Sequence, residues 1–138
     1  DGNLRRAGVD YRDIAIQATG LSENITSGRA ESYFVVGEEH DGKTIREINY
    51  VLFTIEGGGY QANSVQVTIR KRLAGSNTAV TISSNRNPAM TGFSTGSYVN
   101  QTTGITNATL SKGDIIFIDI TTNGSQTHQG LSITLSTN

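Results

Sequence analysis

The stretch "LSKGDIIFIDI", Leu110 to Ile120, is a polar turn followed by the most apolar run in the chain. Gly113 and Asp114 end the turn, and residues 115 to 118 then send apolar side chains to both faces of an extended strand. Strands that are apolar on both faces are typical of the middle of a sheet covered by a second layer. The stretch therefore predicts a central strand, with Asp119 near its end accepting hydrogen bonds from a neighbouring loop.

Three other segments predict long strands. "SVQVTIRKR" (64 to 72) alternates between an apolar face and a polar face that carries Arg70 and Arg72. "GLSITLST" (130 to 137) alternates in the same way and is expected to close a sheet. "TIREINYVLFTI" (44 to 55) is partly apolar on both faces, which predicts a central strand.

Shorter strands and the turns between them complete the fold prediction. Glycine-rich and Asn-rich turns recur about every 10 residues. The shorter strand candidates are Ser32 to Val36, Thr78 to Ser83, Ser97 to Thr102 and Gly104 to Ala108. About eight strands at this spacing predict an all-β protein, a two-layer antiparallel β-sandwich of jelly-roll-like form.

Residues 1 to 30 allow two interpretations. One side of a helix would carry the residues Leu4, Ala7, Tyr11, Ala15 and Ala18. Ile14 and Ile16 instead alternate as in a strand, and Gly8 followed by the β-branched Val9 weakens the helix. We expect an N-terminal arm or first strand in this segment, and an arm would be an attachment segment that packs on another subunit. Residues 31 to 138 then form the sandwich domain.

Composition excludes several classes of partner. The chain has 138 residues, a formal net charge of -1 and no cysteine. There is no basic field to attract nucleic acid, no thiol for disulfides or thiolate metal sites, and no apolar run of the ~18 residues that a membrane span requires. We expect one domain with neither a nucleic-acid partner nor membrane insertion.

Motifs for catalysis and metal binding are weak. No nucleophile motif or phosphate-binding glycine loop is present, and only His40 and His128 offer neutral-pH bases. The cluster "EEHD", 38 to 41, holds metal-ligating residue types, but consecutive strand residues point to opposite faces. This spacing favours a solvated hairpin tip. We expect no catalytic residue, cofactor or metal, and no enzyme activity.

Two sets of side chains are candidates for binding. Tyr60, Phe93 and Tyr98 lie among Asn, Ser and Gly in predicted loops, where a sugar can stack on an aromatic ring. They are candidate glycan or receptor contacts, or anchors that hold the loops to the sandwich. Arg70 and Arg72 are candidate subunit contacts that would meet carboxylates of a partner, or solvated charges that prevent aggregation.

Several motifs, taken in order, resemble a known family. "SYFVVGEEHDGKTIREINYVLFTIEGGG", "SVQVTIRKRLAGS" and "LSKGDIIFIDITTNGSQTHQGLSITLST" are similar to a β-sandwich (jelly-roll-like) domain of bacteriophage virion proteins. The matching positions are Asp41 to Lys43, Val65 to Val67 with Arg70 and Arg72, Gly113 with Asp114, and Gly130 with Leu131. The resemblance covers roughly residues 32 to 136 and departs at "SSNRNPAMTGFSTG".

The resemblance implies a structural role. Domains of this kind occur in tail fibres, head fibres and capsid-associated proteins, commonly as trimers. The family has no catalytic residues, so the resemblance implies none in this chain. The expected protein is a homotrimeric capsid decoration, head-fibre or tail-fibre module on the surface of an extracellular virion, in contact with capsid or tail proteins. The alternative is a carbohydrate-binding or host-receptor-binding module.

Overall fold

The computed structural model describes residues 4–6, 9–20, 23–55, 65–88, 97–122 and 128–138. Within these ranges the chain forms strands and one short 3-10 helix, Glu38–His40. The strands are β1 (Leu4–Arg6), β2 (Val9–Gln17), β3 (Gly28–Val35), β4 (Ile45–Ile55), β5 (Val65–Arg72), β6 (Ala79–Arg86), β7 (Ser97–Gln101), β8 (Ile115–Thr122) and β9 (His128–Thr137). None of the described segments forms a helix long enough to cross a membrane.

The strands form two antiparallel sheets. The first sheet has the order β1-β2-β9-β4-β7, and the second has the order β3-β8-β5-β6. Apart from the short edge strand β1, each sheet contains four strands. Between β2 and β9, each connection crosses from one sheet to the other except the connection from β5 to β6, which stays within the second sheet. Eight strands divided in this way form a jelly roll. The predicted fold class is therefore confirmed.

The core lies between the sheets and is aliphatic. The first sheet contributes the side chains of Ile14, Ile16, Ile48, Tyr50, Leu52, Leu131, Ile133 and Leu135, all of them buried. The second sheet contributes the buried side chains of Val65, Val67, Ile69, Ile82, Ile116, Ile118 and Ile120. Burying each aliphatic side chain of this size stabilises the fold by about 1.5–3 kcal/mol. The predicted alternation thus fills the space between the layers.

Strand β8 has the central position that its sequence predicts. It pairs with β3 on one side and β5 on the other. Ile116 and Ile118 are fully buried, whereas Ile115 and Phe117 lie on the outer face. Asp119 differs from the prediction: its carboxylate accepts a hydrogen bond from Arg29 Nε of β3 at 3.2 Å, so its partner is a strand residue and not a loop.

Three local predictions are wrong. Strand β9 lies between β2 and β4, so it occupies the middle of its sheet instead of closing it. The "HDGK" turn joins strands of different sheets and is not a hairpin tip. Residues 104 to 108 form no strand, because Gly104 (φ 71°) and Asn107 (φ 49°) interrupt the extended backbone. The side chains of Thr106 and Asn107 instead donate to the same carbonyl of β6, Thr81 O, each at 2.8 Å, and the backbone N–H of Thr106 donates to Ile82 O at 2.9 Å.

The N-terminal segment adopts the extended conformation. Strand β2 pairs with β9 from Arg12 to Gln17 and turns Ile14 and Ile16 into the core. The helix interpretation is therefore wrong for residues 9–17, and this part of the segment is a strand of the sandwich. Attachment through the N-terminal segment stays a prediction.

Candidate interaction surfaces

The three carboxylates of the "EEHD" cluster each pair with a group elsewhere in the protein. Glu38 Oε1 accepts a hydrogen bond from Lys112 Nζ at 2.6 Å, and Glu39 Oε2 lies 3.3 Å from Arg12 Nη1. His40 turns into the protein. Glu38 and Glu39 thus pair with different cations, and Asp41 Oδ1 accepts a hydrogen bond from the backbone N–H of Lys112 at 2.8 Å. Among the described residues no group of three or more His, Cys, Asp or Glu side chains is placed to hold a metal ion.

The two histidines are buried and far apart. The ring of His40 packs edge-on against Phe34 at 5.3 Å between centroids, and its Nε2 meets no hydrogen-bond partner within the described ranges. Burial lowers the pKa of His40, an effect that the carboxylate of Glu39 opposes. Burial also lowers the pKa of His128. Because His40 precedes β4 and His128 pairs with Ile55 at the far end of that strand, the two cannot share one site.

Asp114, the second residue of the "GD" motif, stabilises two turns from a buried position. Its Oδ1 accepts a hydrogen bond from the backbone N–H of Ala74, and its Oδ2 accepts one from the N–H of Ser111, both at 2.9 Å. Lys71 Nζ lies 3.8 Å from Oδ2. A carboxylate that accepts backbone N–H bonds and faces a cation is strongly held. The motif therefore serves the structure, and the sequence alone did not reveal these partners.

Lys71, the middle residue of "RKR", faces the interior. Its Nζ donates to the carbonyl oxygens of Asn107 at 2.8 Å and Thr109 at 2.7 Å, in addition to pairing with Asp114. This arrangement holds the irregular segment after β7 against the sandwich. A signal was present in the alternation of β5, because Lys71 is two residues after the inward-facing Ile69.

The core contains one buried polar cluster of three side chains. The Tyr50 hydroxyl donates to Gln101 Oε1 at 2.7 Å, and the Ser83 hydroxyl donates to the same oxygen at 2.9 Å. Burial raises the pKa of Tyr50. Because the three groups satisfy one another, the cluster joins β4, β6 and β7 without leaving these hydroxyls unpaired.

The outer face of the second sheet carries cations around an aromatic ring. The Arg29 guanidinium lies 4.4 Å from the centroid of the Phe117 ring, and that of Arg70 lies 6.0 Å from it. Both arginines also approach Asp119, at 3.2 and 3.9 Å. Arg72 lies exposed on the same face. We call this surface the arginine face. It shows where Arg70 and Arg72 lie, whereas their predicted contact with another subunit stays a prediction.

The outer face of the first sheet carries uncharged side chains between positions 49 and 53 of β4 and between positions 98 and 100 of β7. We call the residues Asn49, Val51, Phe53, Tyr98 and Asn100 the neutral strip. Val51 pairs with Tyr98, and Asn49 with Asn100, across the two strands. Asn49 Oδ1 accepts hydrogen bonds from the Tyr98 hydroxyl and from Asn100 Nδ2, both at 2.6 Å. Asn100 Nδ2 also donates to Glu47, which marks one end of the strip.

Only one of the three predicted glycan contacts lies in the described part of the chain. Tyr98 belongs to strand β7 and not to a loop, and its side chain is exposed while its hydroxyl is bound to Asn49. Tyr60 and Phe93 lie outside the described residues.

Comparisons with known proteins add one structural likeness. No protein-family model matches the chain, and no curated protein matches its sequence. A solved structure that it resembles is the infectious bursal disease virus VP2 subviral particle, with 11% sequence identity and a TM-score of 0.39. The alignment covers 91% of this chain and 32% of VP2, so the chain spans about a third of that protein's length. A likeness at this TM-score defines neither family nor role.

Proposed function

We propose that this protein is a structural component of the virion of a phage or phage-like particle. It acts as a capsid decoration, head-fibre or tail-fibre module, assembles as a homotrimer and is displayed on the particle surface against capsid or tail proteins. The sequence resemblance over residues 32 to 136 and the jelly-roll fold support this proposal, since jelly rolls recur in virus particles. The proposed role requires no catalytic residue, cofactor or metal.

The observation that carries the proposal is the presence of large exposed apolar side chains on both outer faces. Among the described residues the exposed large hydrophobic side chains are Tyr33 (64%), Val35 (52%), Val51 (41%), Phe53 (53%) and Tyr98 (54%). All five lie on strands and point away from the core. Apolar groups clustered on the outside of a sheet favour contact with another protein surface. Neighbouring subunits in a fibre or shell would provide that surface.

The residues of the resemblance motifs support a rigid building block. Asp114 and Lys71 hold turns and an irregular segment to the sandwich, as described above. Gly42 (φ 77°) and Gly113 (φ 93°) occupy left-handed backbone positions that favour glycine. These residues thus have structural roles, which fits a protein that acts by assembling with other subunits.

Self-assembly is tested by light scattering coupled to size-exclusion chromatography. A homotrimer has three times the 14.7 kDa mass of one chain. A strict monomer at every concentration would contradict the assembly. Imaging of an intact particle that carries the protein then distinguishes a capsid position from a fibre position, and absence of the protein from purified particles would contradict the virion role.

The alternative proposal is a carbohydrate-binding or host-receptor-binding module. Its support within the described residues is the exposed ring of Tyr98. The bond from its hydroxyl to Asn49 uses a polar group that a sugar would need, which favours the structural proposal. A glycan array with the wild type and a Tyr98→Ala variant decides between the two: binding that disappears in the variant would establish the alternative.

A further inference from the structure

We propose that the neutral strip on the outer face of the first sheet is the contact surface between copies of this chain. This inference rests on the proposed self-assembly and names the surface responsible for it. The arginine face is then left to solvent or to other virion proteins.

Charge distinguishes the two outer faces. The centre of the first sheet's outer face is uncharged, and its charged side chains lie at the margins, with Glu47 and Arg46 at one end of the strip and Asp13 on β2. Three copies can therefore bring the centres of their strips together around a threefold axis without opposing like charges. The arginine face carries three cations, Arg29, Arg70 and Arg72. Among the described residues its two carboxylates are those of Asp119 and Glu31, which leaves a net positive charge. Bringing that face of several copies together would therefore oppose like charges. Of the two faces, the neutral strip is the one suited to a second copy.

Hydrogen bonding within the neutral strip lowers the cost of covering it. Asn49 Oδ1 receives two donors, and Asn100 Nδ2 donates twice. Removing water costs less free energy for polar groups that already have a hydrogen-bond partner in the protein than for polar groups without one. The exposed side chains of Val51 and Phe53 gain most from being covered. The same pairing disfavours a glycan, because a sugar would have to compete for these amides.

The shape and area of the face also suit a second copy. Beside the strip, β9 presents Ser132 and Thr134 and β2 presents Ala15, so the surface is flat enough for another protein layer to approach closely. Strand β4 is 11 residues long. Strands β2, β9 and β7 contain 9, 10 and 5 residues, so the four strands together present a plane of roughly 600 Å², from ~3.4 Å per residue and ~4.8 Å per strand. A standard interface buries about 800 Å² per partner, so the area is of the right order.

The absence of cysteine allows a direct test with single-cysteine variants. Val51→Cys probes the neutral strip, and Val35→Cys is a matched control on the outer face of the second sheet. Both are conservative changes at exposed strand positions. With a maleimide-polyethylene glycol reagent, we expect Val51→Cys to react at least 10-fold more slowly than Val35→Cys at concentrations where the protein is oligomeric. Dilution to monomer is expected to remove the difference.

A second pair of variants tests the same surface through the mass of the oligomer in solution. Val51→Asp is expected to raise the dissociation constant of the oligomer at least 10-fold in light-scattering measurements, whereas Val35→Asp leaves it within 3-fold of the wild type. Circular dichroism confirms that both variants are folded. An oligomeric wild type with equal labelling of both cysteines, or with equal effects of both aspartates, overturns this inference and leaves the proposed self-assembly intact. A wild type that is monomeric at every concentration overturns both.

Discussion

Replacing Asp114 with alanine is expected to destabilise the protein by about 4 kcal/mol. The change removes the acceptor for the backbone N–H groups of Ala74 and Ser111, each of which contributes about 1 kcal/mol. It also leaves Lys71, whose side chain is 5% exposed, without the carboxylate at 3.8 Å. Removing one partner of a buried ion pair costs about 3–5 kcal/mol, and this figure includes part of the lost hydrogen bonding.

Urea unfolding measures this effect. Domains of this kind have a free energy of unfolding of about 5–15 kcal/mol, so the variant is expected to remain folded in water with a much reduced margin. With an m-value of about 1.5 kcal/mol/M, the urea midpoint falls by roughly 2 to 3 M while the m-value stays constant. The surface variant Val35→Ala is a suitable control, because its side chain lies outside the core.

A double-mutant cycle with Lys71→Met isolates the interaction energy between Lys71 and Asp114. Lys71→Met alone removes the donor to Asn107 and Thr109 but leaves Asp114 with its two backbone donors, so its cost is expected to be smaller. Once Lys71 is absent, Asp114→Ala no longer strands a buried charge, and the coupling energy is expected to be about 2 kcal/mol. Strictly additive effects, or a cost of Asp114→Ala below about 1 kcal/mol, would refute the assignment of this pair.

Three further predictions concern stability. Tyr50→Phe removes one of two donors to Gln101 Oε1 and is expected to cost about 1 kcal/mol in thermal unfolding; an unchanged midpoint would contradict the role of the hydroxyl. Gly113→Ala places a Cβ 3.0 Å from the Cβ of Ala74, at a backbone φ of 93°. This change is expected to lower the free energy of unfolding in urea by about 1–3 kcal/mol, and an unchanged stability would count against strain at this turn. Burial lowers the pKa of His40 and His128, so the unfolded chain binds more protons, and stability is expected to fall as pH drops below about 6.5. Urea midpoints at pH 7.5 and 5.5 measure this loss, which a variant with both histidines changed to Gln is expected to reduce; an equal loss in that variant would assign it to other groups.

The strands with strong alternation were predictable because successive side chains of any strand point to opposite faces, so the apolar positions identify the buried face. Strand β5 buries Val65, Val67 and Ile69, as its pattern predicts, and β8 is apolar on both faces. Residues 104 to 108 misled the prediction, because the left-handed positions at Gly104 and Asn107 are a property of the folded backbone. Arg70 was predicted on the polar face of its strand, whereas Tyr98 was predicted in a loop and lies in β7. The partners of both residues across the sheets were not predictable.

Composition and periodicity by themselves determined that this protein is an all-β sandwich with an aliphatic interior and without cysteine chemistry. Only the tertiary structure decided which strands are neighbours, that Lys71 is buried against Asp114, and that Val51 and Tyr98 share one uncharged surface. The physical reason is distance along the chain. Asp114 and Ala74 are 40 residues apart in sequence, and such pairings depend on how whole sheets pack, which no local pattern encodes.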